Sequence, residues 1–195
     1  MEKSALQIAR AAYQPKLPAG LRGNVSIKEG APTQSVGDQE EIKKLFPNTY
    51  GMPLVDFVPS DEKKEYAPMN IGIILSGGQA PGGHNVICGL YDELKKQNAG
   101  NKLYGFLMGP GGLVDHKYIE LTDELIDEYR NTGGFDLIGS GRTKLEEEDQ
   151  FESGLKIIRE LGIKAIVIIG GDDSNTNACV LAEYYAAHNY GVQVI

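Results

Sequence analysis

The sequence predicts an α/β protein with a doubly wound, mostly parallel sheet, preceded by a partly helical N-terminal extension. Three observations predict it. Short apolar runs at residues 71–75, 103–108 and 165–169 alternate with segments whose apolar residues recur at helical spacing. Two glycine-rich loops each leave one of those runs and lead into a helical segment. Glycine itself is in excess, 25 of 195 residues, against an ordinary share of roughly 7%.

The chain divides near residue 70. Residues 1–70 hold seven of the nine prolines, with nine basic and nine acidic residues in balance. Residues 71–195 hold 20 of the glycines and the whole net charge of −8, ten basic against eighteen acidic residues. In the extension, Ser4 is expected to cap a helix running to Tyr13 and stopped ahead of Pro15. Asp38 is expected to cap a helix over residues 39–46, ended by Pro47. Val55 and Phe57 suit an extended stretch, and the rest reads as turns. The extension has too few apolar residues for a core of its own. It is expected to pack on residues 71–195 or on a partner, and nothing in it points to catalysis.

In residues 71–195 the first apolar run is a buried parallel strand. A helix follows its glycine loop, with Ile87, Leu90, Tyr91 and Leu94 on one face. Residues 103–108 form the next strand, and Thr122 caps a helix over residues 123–130. Residues 135–138 suit a short strand. Residues 148–161 suit a helix with Phe151, Leu155 and Ile158 turned inward and Gly162 as its stop. The acidic run Glu146-Glu147-Glu148-Asp149 falls at that helix's N-terminus, where the dipole favours it. Residues 165–169 are the clearest strand. A helix with Ala178, Leu181, Ala182 and Tyr185 on one face follows, and residues 192–195 start a further strand.

Composition excludes several classes. A net charge of −8 opposes a nucleic-acid or anionic-membrane surface. No apolar run approaches the roughly 18 residues of a membrane helix, and no signal-peptide core follows Met1. Cys88 and Cys179 match neither a disulfide framework nor a metal spacing. Both are expected to be small buried residues of a cytoplasmic protein. His116 and His188 read as surface histidines.

The loops carry the chemistry. The first is Ser76-Gly77-Gly78-Gln79-Ala80-Pro81-Gly82-Gly83-His84-Asn85. Its glycines let a backbone approach an anion closely, and the following helix presents free N–H groups. It is neither a P-loop nor a dinucleotide fingerprint, because Gly83 and His84 stand where Lys and Ser/Thr are needed. The competing reading is a tight strand-to-helix turn with no ligand. His84 is open between a ligand contact and a hydrogen bond that shapes the loop. The second loop is Gly170-Gly171-Asp172-Asp173-Ser174-Asn175. Adjacent carboxylates suit Mg²⁺ held partly through a phosphate, or else one of them caps the next helix. Between the loops lies Gly139-Ser140-Gly141-Arg142-Thr143-Lys144. Arg142 suits stabilisation of a transferring phosphoryl group, or is ordinary surface charge; Lys144 has acidic neighbours at residues 146–148 to pair with.

These three segments, in this order and strand context, resemble the phosphofructokinases over residues 71–195, and residues 1–70 are similar to the extension of the long, pyrophosphate-using type. The resemblance implies transfer of a phosphoryl group from Mg²⁺–pyrophosphate to the 1-hydroxyl of fructose 6-phosphate, giving fructose 1,6-bisphosphate. It implies that Gly77, Gly78, Gly171 and Ser174 contact pyrophosphate and that Asp172 binds Mg²⁺. It also implies that Arg142 stabilises transferring charge. Asp173 would select the donor, because ATP-using members typically have glycine there and a carboxylate would occupy the place of the α-phosphate. Gln79 and the Gly83-His84 pair also depart from the ATP-using pattern. The family's base lies in a Thr-Ile-Asp motif beyond the strand that starts at Val192, and this sequence does not include it. The chain is therefore expected to be the N-terminal part of a longer homo-oligomeric enzyme and inactive alone. The alternatives are an ATP-dependent phosphofructokinase and a non-catalytic regulatory or binding subunit on the same fold.

Overall fold

The structure is a computed structural model and describes residues 3–62 and 65–195. Helix α1 (Ala5–Ala12) starts where Ser4 predicts: the Ser4 hydroxyl accepts from the Gln7 N–H, and Gln7 Oε1 accepts from the Ser4 N–H. Strand β1 (Val25–Pro32), helix α2 (Gln39–Leu45) and strand β2 (Pro53–Pro59) follow. β1 and β2 pair antiparallel with Ile27 opposite Phe57, so the extended stretch around Val55 is half of a ribbon. Asp38 does not cap α2 through its side chain. It sits in the left-handed region at φ 50°, whereas a side-chain N-cap requires extended backbone, and only its carbonyl starts the helix.

Two compact units divide the chain: residues up to Tyr13 together with Tyr66–Ile195, and Gln14–Glu65. Among the described residues of Gln14–Glu65 no side chain is buried. Helix α1 is tied into the first unit by Asn131, whose Nδ2 donates to the carbonyls of Arg10 and Tyr13 at 2.8 and 3.0 Å.

The first unit is built on one sheet. Strand β3 (Asn70–Leu75) leads to α3 (Gly83–Gln97), β4 (Lys102–Phe106), α4 (Pro110–Val114), β5 (Tyr118–Glu120) and α5 (Asp123–Tyr129). Helix α6 (Glu148–Glu160), β6 (Ile163–Ile169), α7 (Asp172–Ala187) and β7 (Gln193–Val194) complete it. The strand order is β5-β4-β3-β6-β7, all parallel except the antiparallel β4–β5 pair. Both faces of β3 are covered. Ile71, Ile73 and Leu75 join a core with Ile87, Tyr91 and Leu94 of α3. Ile74 joins the opposite core with Leu155 and Ile158 of α6 and Leu181 and Tyr185 of α7. Gly72 lies on that second face, where a Cβ would come within 2.5 Å of the Ile166 side chain.

The chain steps from β3 outward to β4, then returns across to β6. The ends of β3 and β6, paired as Leu75 with Ile169, are therefore the point where winding reverses, which is where open α/β sheets bind ligands.

Several expectations are corrected. Residues 135–138 are not a strand: the Leu137 N–H is taken by a histidine ring and the Ile138 carbonyl by the Met108 N–H, so no ladder forms. Phe135, Leu137 and Ile138 are nonetheless buried in the α3 core. The second strand ends at Phe106 rather than residue 108, since Met108 turns into the left-handed region at φ 60°. Cys88 is buried, but Cys179 is exposed on α7. His116 is half-buried, its Nε2 within hydrogen-bonding reach of the Ser153 carbonyl and hydroxyl, while His188 is exposed. Among the described residues no helix is long and apolar enough to cross a membrane.

Candidate functional site

The two glycine loops leave neighbouring strands side by side. The Ser76 N–H donates to the Ile169 carbonyl at 2.7 Å, continuing the β3–β6 ladder by one residue. Beyond it the chain parts, because Gly77 adopts φ 95°, a conformation that favours glycine. The Gly77 N–H then donates to the Gly141 carbonyl at 2.8 Å. This bond brings residues 139–144, some 60 positions downstream, against the first loop.

The second loop is equally constrained. A Cβ on Gly170 would stand 2.4 Å from the Ser174 Cβ and 2.7 Å from the Ser76 carbonyl oxygen, so only glycine fits between the strand ends. Gly171 is the N-cap of α7, and no side chain closes that helix end. Asp172 and Asp173 are its first two residues and both are exposed. Neither is a cap. Their carboxylates sit at the positive end of a 16-residue helix and are available to a cation or to solvent. Ser174 is buried, and its hydroxyl donates to the Ser76 hydroxyl at 2.8 Å.

A cleft of about 190 Å³ opens at this junction, lined by Ser76, Gly77, Arg142, Thr143, Lys144, Asp173, Ser174 and Asn177. It brings together four of the residues singled out in the sequence: Gly77, Arg142, Asp173 and Ser174. Gly78 adjoins it, for a Cβ there would lie 3.0 Å from Arg142 Nη2, so the guanidinium rides over the Gly78 backbone. Asp172 and Gly171 adjoin Asp173 but do not line the cleft. Arg142 is exposed and makes no ion pair among the described residues, whereas Lys144 lies 3.6 Å from Glu146 at the surface. Asn177 anchors the arginine segment to α7, accepting from the Leu145 N–H at 2.9 Å and donating to its carbonyl. A larger cavity, about 450 Å³, lies beside α1 and α5 and shares no residue with the glycine loops.

Chemically the cleft offers the free N–H groups at the start of α7, a guanidinium with no ion pair among the described residues, and the carboxylate of Asp173 with that of Asp172 beside it. Among the described residues no cluster of three or more His, Cys, Asp or Glu could hold a metal by itself. The donor set at Asp172 and Asp173 suits Mg²⁺, which one or two carboxylates hold jointly with phosphate oxygens.

One feature was missed in the sequence, the turn Met108-Gly109-Pro110-Gly111-Gly112 after β4. A Cβ on Gly109 would lie 2.4 Å from the Gly141 nitrogen, and one on Gly141 would lie 2.0 Å from the Met108 carbonyl, so the two backbones touch. Three glycines and a proline after a predicted strand were the available signal. His84, open in the sequence between two roles, is 2% exposed and enclosed by residues 129–137, so it takes the loop-shaping one and not the ligand contact.

Comparison with known proteins adds the lineage. A family model described as "Phosphofructokinase" matches residues 70–195. The chain belongs to the phosphofructokinase family. It is 67% identical over 195 residues to "Pyrophosphate--fructose 6-phosphate 1-phosphotransferase" of Porphyromonas gingivalis, covering 100% of this chain and 36% of that protein. It is 52% identical over 190 residues to the protein of the same name from Entamoeba histolytica, covering 96% and 35%. The chain thus spans about a third of the length of these curated relatives. A solved structure of a pyrophosphate-dependent phosphofructokinase from Nitrosospira multiformis superposes with a TM-score of 0.58 at 21% identity, covering 65% of this chain and 32% of that one. The corresponding figures for the Marinobacter aquaeolei enzyme are 0.57, 22%, 65% and 32%. At that identity the likeness is one of fold.

Proposed function

We propose that this chain is the phosphate-donor portion of an enzyme that transfers a phosphoryl group from Mg²⁺–pyrophosphate to fructose 6-phosphate, a reversible glycolytic step giving fructose 1,6-bisphosphate. The observation that carries the reading is the convergence of Gly77, Arg142 and Asp173 on one cleft at the winding reversal. The names of the relatives supply the substrates.

Each residue then has a task. The Gly78 backbone and the α7 N-terminus at Gly171 cradle the donor phosphates with N–H groups, which need no reorganisation when charge develops. Arg142 holds its guanidinium over Gly78, where negative charge accumulates as the bond to the leaving phosphate breaks. Ser174 faces the cleft, while its hydroxyl holds Ser76 in place. Asp172 binds Mg²⁺ together with phosphate oxygens; the ion supplies charge neutralisation and orientation of the donor. Asp173 faces the cleft and leaves room for a terminal diphosphate but not for a further phosphate carrying a nucleoside. The sugar site and the group that accepts the sugar hydroxyl's proton belong to the rest of the longer polypeptide, so this chain alone binds donor and turns nothing over. The enzyme works in the cytoplasm and as an oligomer. The Arabidopsis thaliana relative is named as a subunit beta 2, which supports an assembly of subunits.

The test is calorimetric titration of the 195-residue chain with pyrophosphate in the presence of Mg²⁺. Binding is expected, with no binding of ATP under the same conditions. Asp172→Asn in the full-length enzyme is expected to cut kcat by roughly 100-fold or more, since an amide neutralises no metal charge. Failure of the chain to bind Mg²⁺–pyrophosphate would favour a regulatory module, and an Asp172→Asn rate within a few-fold of wild type would remove the metal role.

A further inference from the structure

His84 is the buried titratable group that the proposed chemistry does not use. It is the second residue of α3, directly behind the first glycine loop. The Leu137 N–H donates to its Nε2 at 2.9 Å, so Nε2 carries no proton. Thr132 Oγ1 lies 2.6 Å from Nδ1 and spends its own hydrogen on the Tyr129 carbonyl, so it must accept from Nδ1–H. Two independent bonds therefore select the same neutral tautomer. Around this ring the loop is laced to the helix start: the Gly82 N–H donates to Gly133, the His84 N–H to Gly134, and Asn85 Oδ1 accepts from the Gly133 N–H.

The lacing reaches the cleft in a few residues. Leu137 is pinned by the ring, and Ile138 accepts from Met108. Gly139 turns at φ 64°, Gly141 accepts from Gly77, and Arg142 lies on Gly78. His84 thus stands at the near end of the segment whose far end carries the uncommitted guanidinium.

The ring also has a second partner in waiting. Asp136 Oδ1 lies 3.1 Å from Nε2, with an exposed side chain. That contact joins two lone-pair atoms while Nε2 is bare, and it becomes an ion pair once Nε2 is protonated. The Tyr129 ring stands edge-on to the imidazole at 4.8 Å, and the buried Cys88 lies one turn further along α3. Arg130 is committed to Asp92 and Asp127. Burial lowers the imidazole's proton affinity and outweighs Asp136, so the bare state holds at neutral pH.

We propose that His84 is a positioning residue for the donor cleft: its bare Nε2 holds residues 137–142 against the first glycine loop, and protonation turns Nε2 to Asp136 and releases them. The functional half rests on the reading of the cleft as a donor site.

Nuclear magnetic resonance of the ¹⁵N-labelled 195-residue chain tests the linkage between pH 8 and 5. His84 is expected to show the Nδ1–H tautomer at pH 7.5. The amides of Gly77, Leu137, Gly141 and Arg142 are expected to titrate with its midpoint. Asp136→Asn, at an exposed position, should move that midpoint to lower pH because a counter-charge is lost. His84→Gln, whose side-chain oxygen can accept from Leu137, should abolish the transition. Amides that titrate apart from the ring, or that still titrate in His84→Gln, would overturn the linkage. Titration with inorganic pyrophosphate and Mg²⁺ at pH 7.5 and 5.5 separates the two ideas, because protonation of pyrophosphate itself is common to both proteins. Wild type is expected to lose at least threefold more affinity than His84→Gln at the lower pH. Equal losses in both proteins would sink the positioning role and leave the donor reading intact. No binding to wild type at either pH, with amide coupling present, would sink the donor reading alone.

Discussion

The hydroxyl of Ser174, on α7, donates to the hydroxyl of Ser76 at 2.8 Å, and both residues are buried. The bond joins the start of the helix after β6 to the residue that follows β3. It holds the two glycine loops at one separation, and the cleft walls depend on that separation. Both side chains are largely withdrawn from water, so removing one leaves the other short of a hydrogen bond. Ser174→Ala is expected to cost about 1–2 kcal/mol in urea unfolding, and Ser76→Ala a similar amount. The double variant should cost less than the sum of the two, by about 1 kcal/mol, since the second change removes a group already stranded. Strict additivity would show that the pair contributes nothing as a pair.

Two glycines of the loops are glycine for different reasons, and alanine at each should separate them. At Gly170 the new Cβ would meet the Ser174 Cβ at 2.4 Å and a backbone oxygen at 2.7 Å, neither of which can give way cheaply. Gly170→Ala is expected to destabilise by about 2–4 kcal/mol, from strain of the kind seen when a packed site is overfilled. At Gly78 the nearest atom is the end of the Arg142 side chain at 3.0 Å, which can swing aside. Gly78→Ala should change stability by less than about 1 kcal/mol and yet weaken pyrophosphate binding several-fold. Thermal melts and calorimetric titration of the same two proteins read both quantities.

Donor choice should follow Asp173, which lines the cleft. A phosphate brought within ~4 Å of its carboxylate would meet a repulsion of ~4 kcal/mol at an effective dielectric of 20, about three decades of affinity. In the full-length enzyme Asp173→Gly is expected to lower kcat/KM for pyrophosphate and raise it for ATP. The gain should be partial, because deleting a side chain builds no adenine pocket. An unchanged ratio of the two kcat/KM values would show that Asp173 is not the discriminator.

The buried imidazole of His84 also makes a prediction about stability. Its proton affinity is lowered from the ordinary value of 6.5 in the folded chain. The unfolded chain therefore binds the extra proton first as the solution is acidified. The stability from a neutral buried ring is fully present above pH about 6.5 and is lost as the pH falls toward the folded value. The unfolding free energy of wild type, measured from pH 8 to 5, should fall more steeply below pH 6.5 than that of His84→Gln. Parallel curves would mean that the ring is protonated equally in both states.

How much of this was legible in the sequence depends on the range of the forces involved. Ser4 named its helix correctly because a capping box closes within four residues. Thr122 did the same for α5, its hydroxyl accepting from Leu125. Asp38 failed because its backbone conformation, not its residue type, decides whether the side chain can reach the helix. The strand expected at residues 135–138 failed because those residues are apolar for burial in the α3 core, and an apolar run cannot announce which partner its backbone will find. The edge strand β5 is three residues long and too short to carry a period.

By itself the sequence determined the alternation of strands and helices, the two glycine loops, and the residue types in them. Those follow from local rules: apolar period, glycine's freedom, and the free N–H groups at a helix start. It therefore marked the two loops, the aspartate pair and Arg142, while the separate tasks of Gly77, Asp173 and Ser174 came from the resemblance to the phosphofructokinases, and local rules placed none of them. Only the tertiary structure decided that they share a cleft, that Ser174 turns its hydroxyl to Ser76, and that Arg142 lies on Gly78. Only it decided that His84 faces inward to Leu137, not outward to a ligand. The physical reason is that these contacts join positions 53 to 98 residues apart. Such pairings come from the order in which parallel strands assemble, and no local preference in the chain encodes that order.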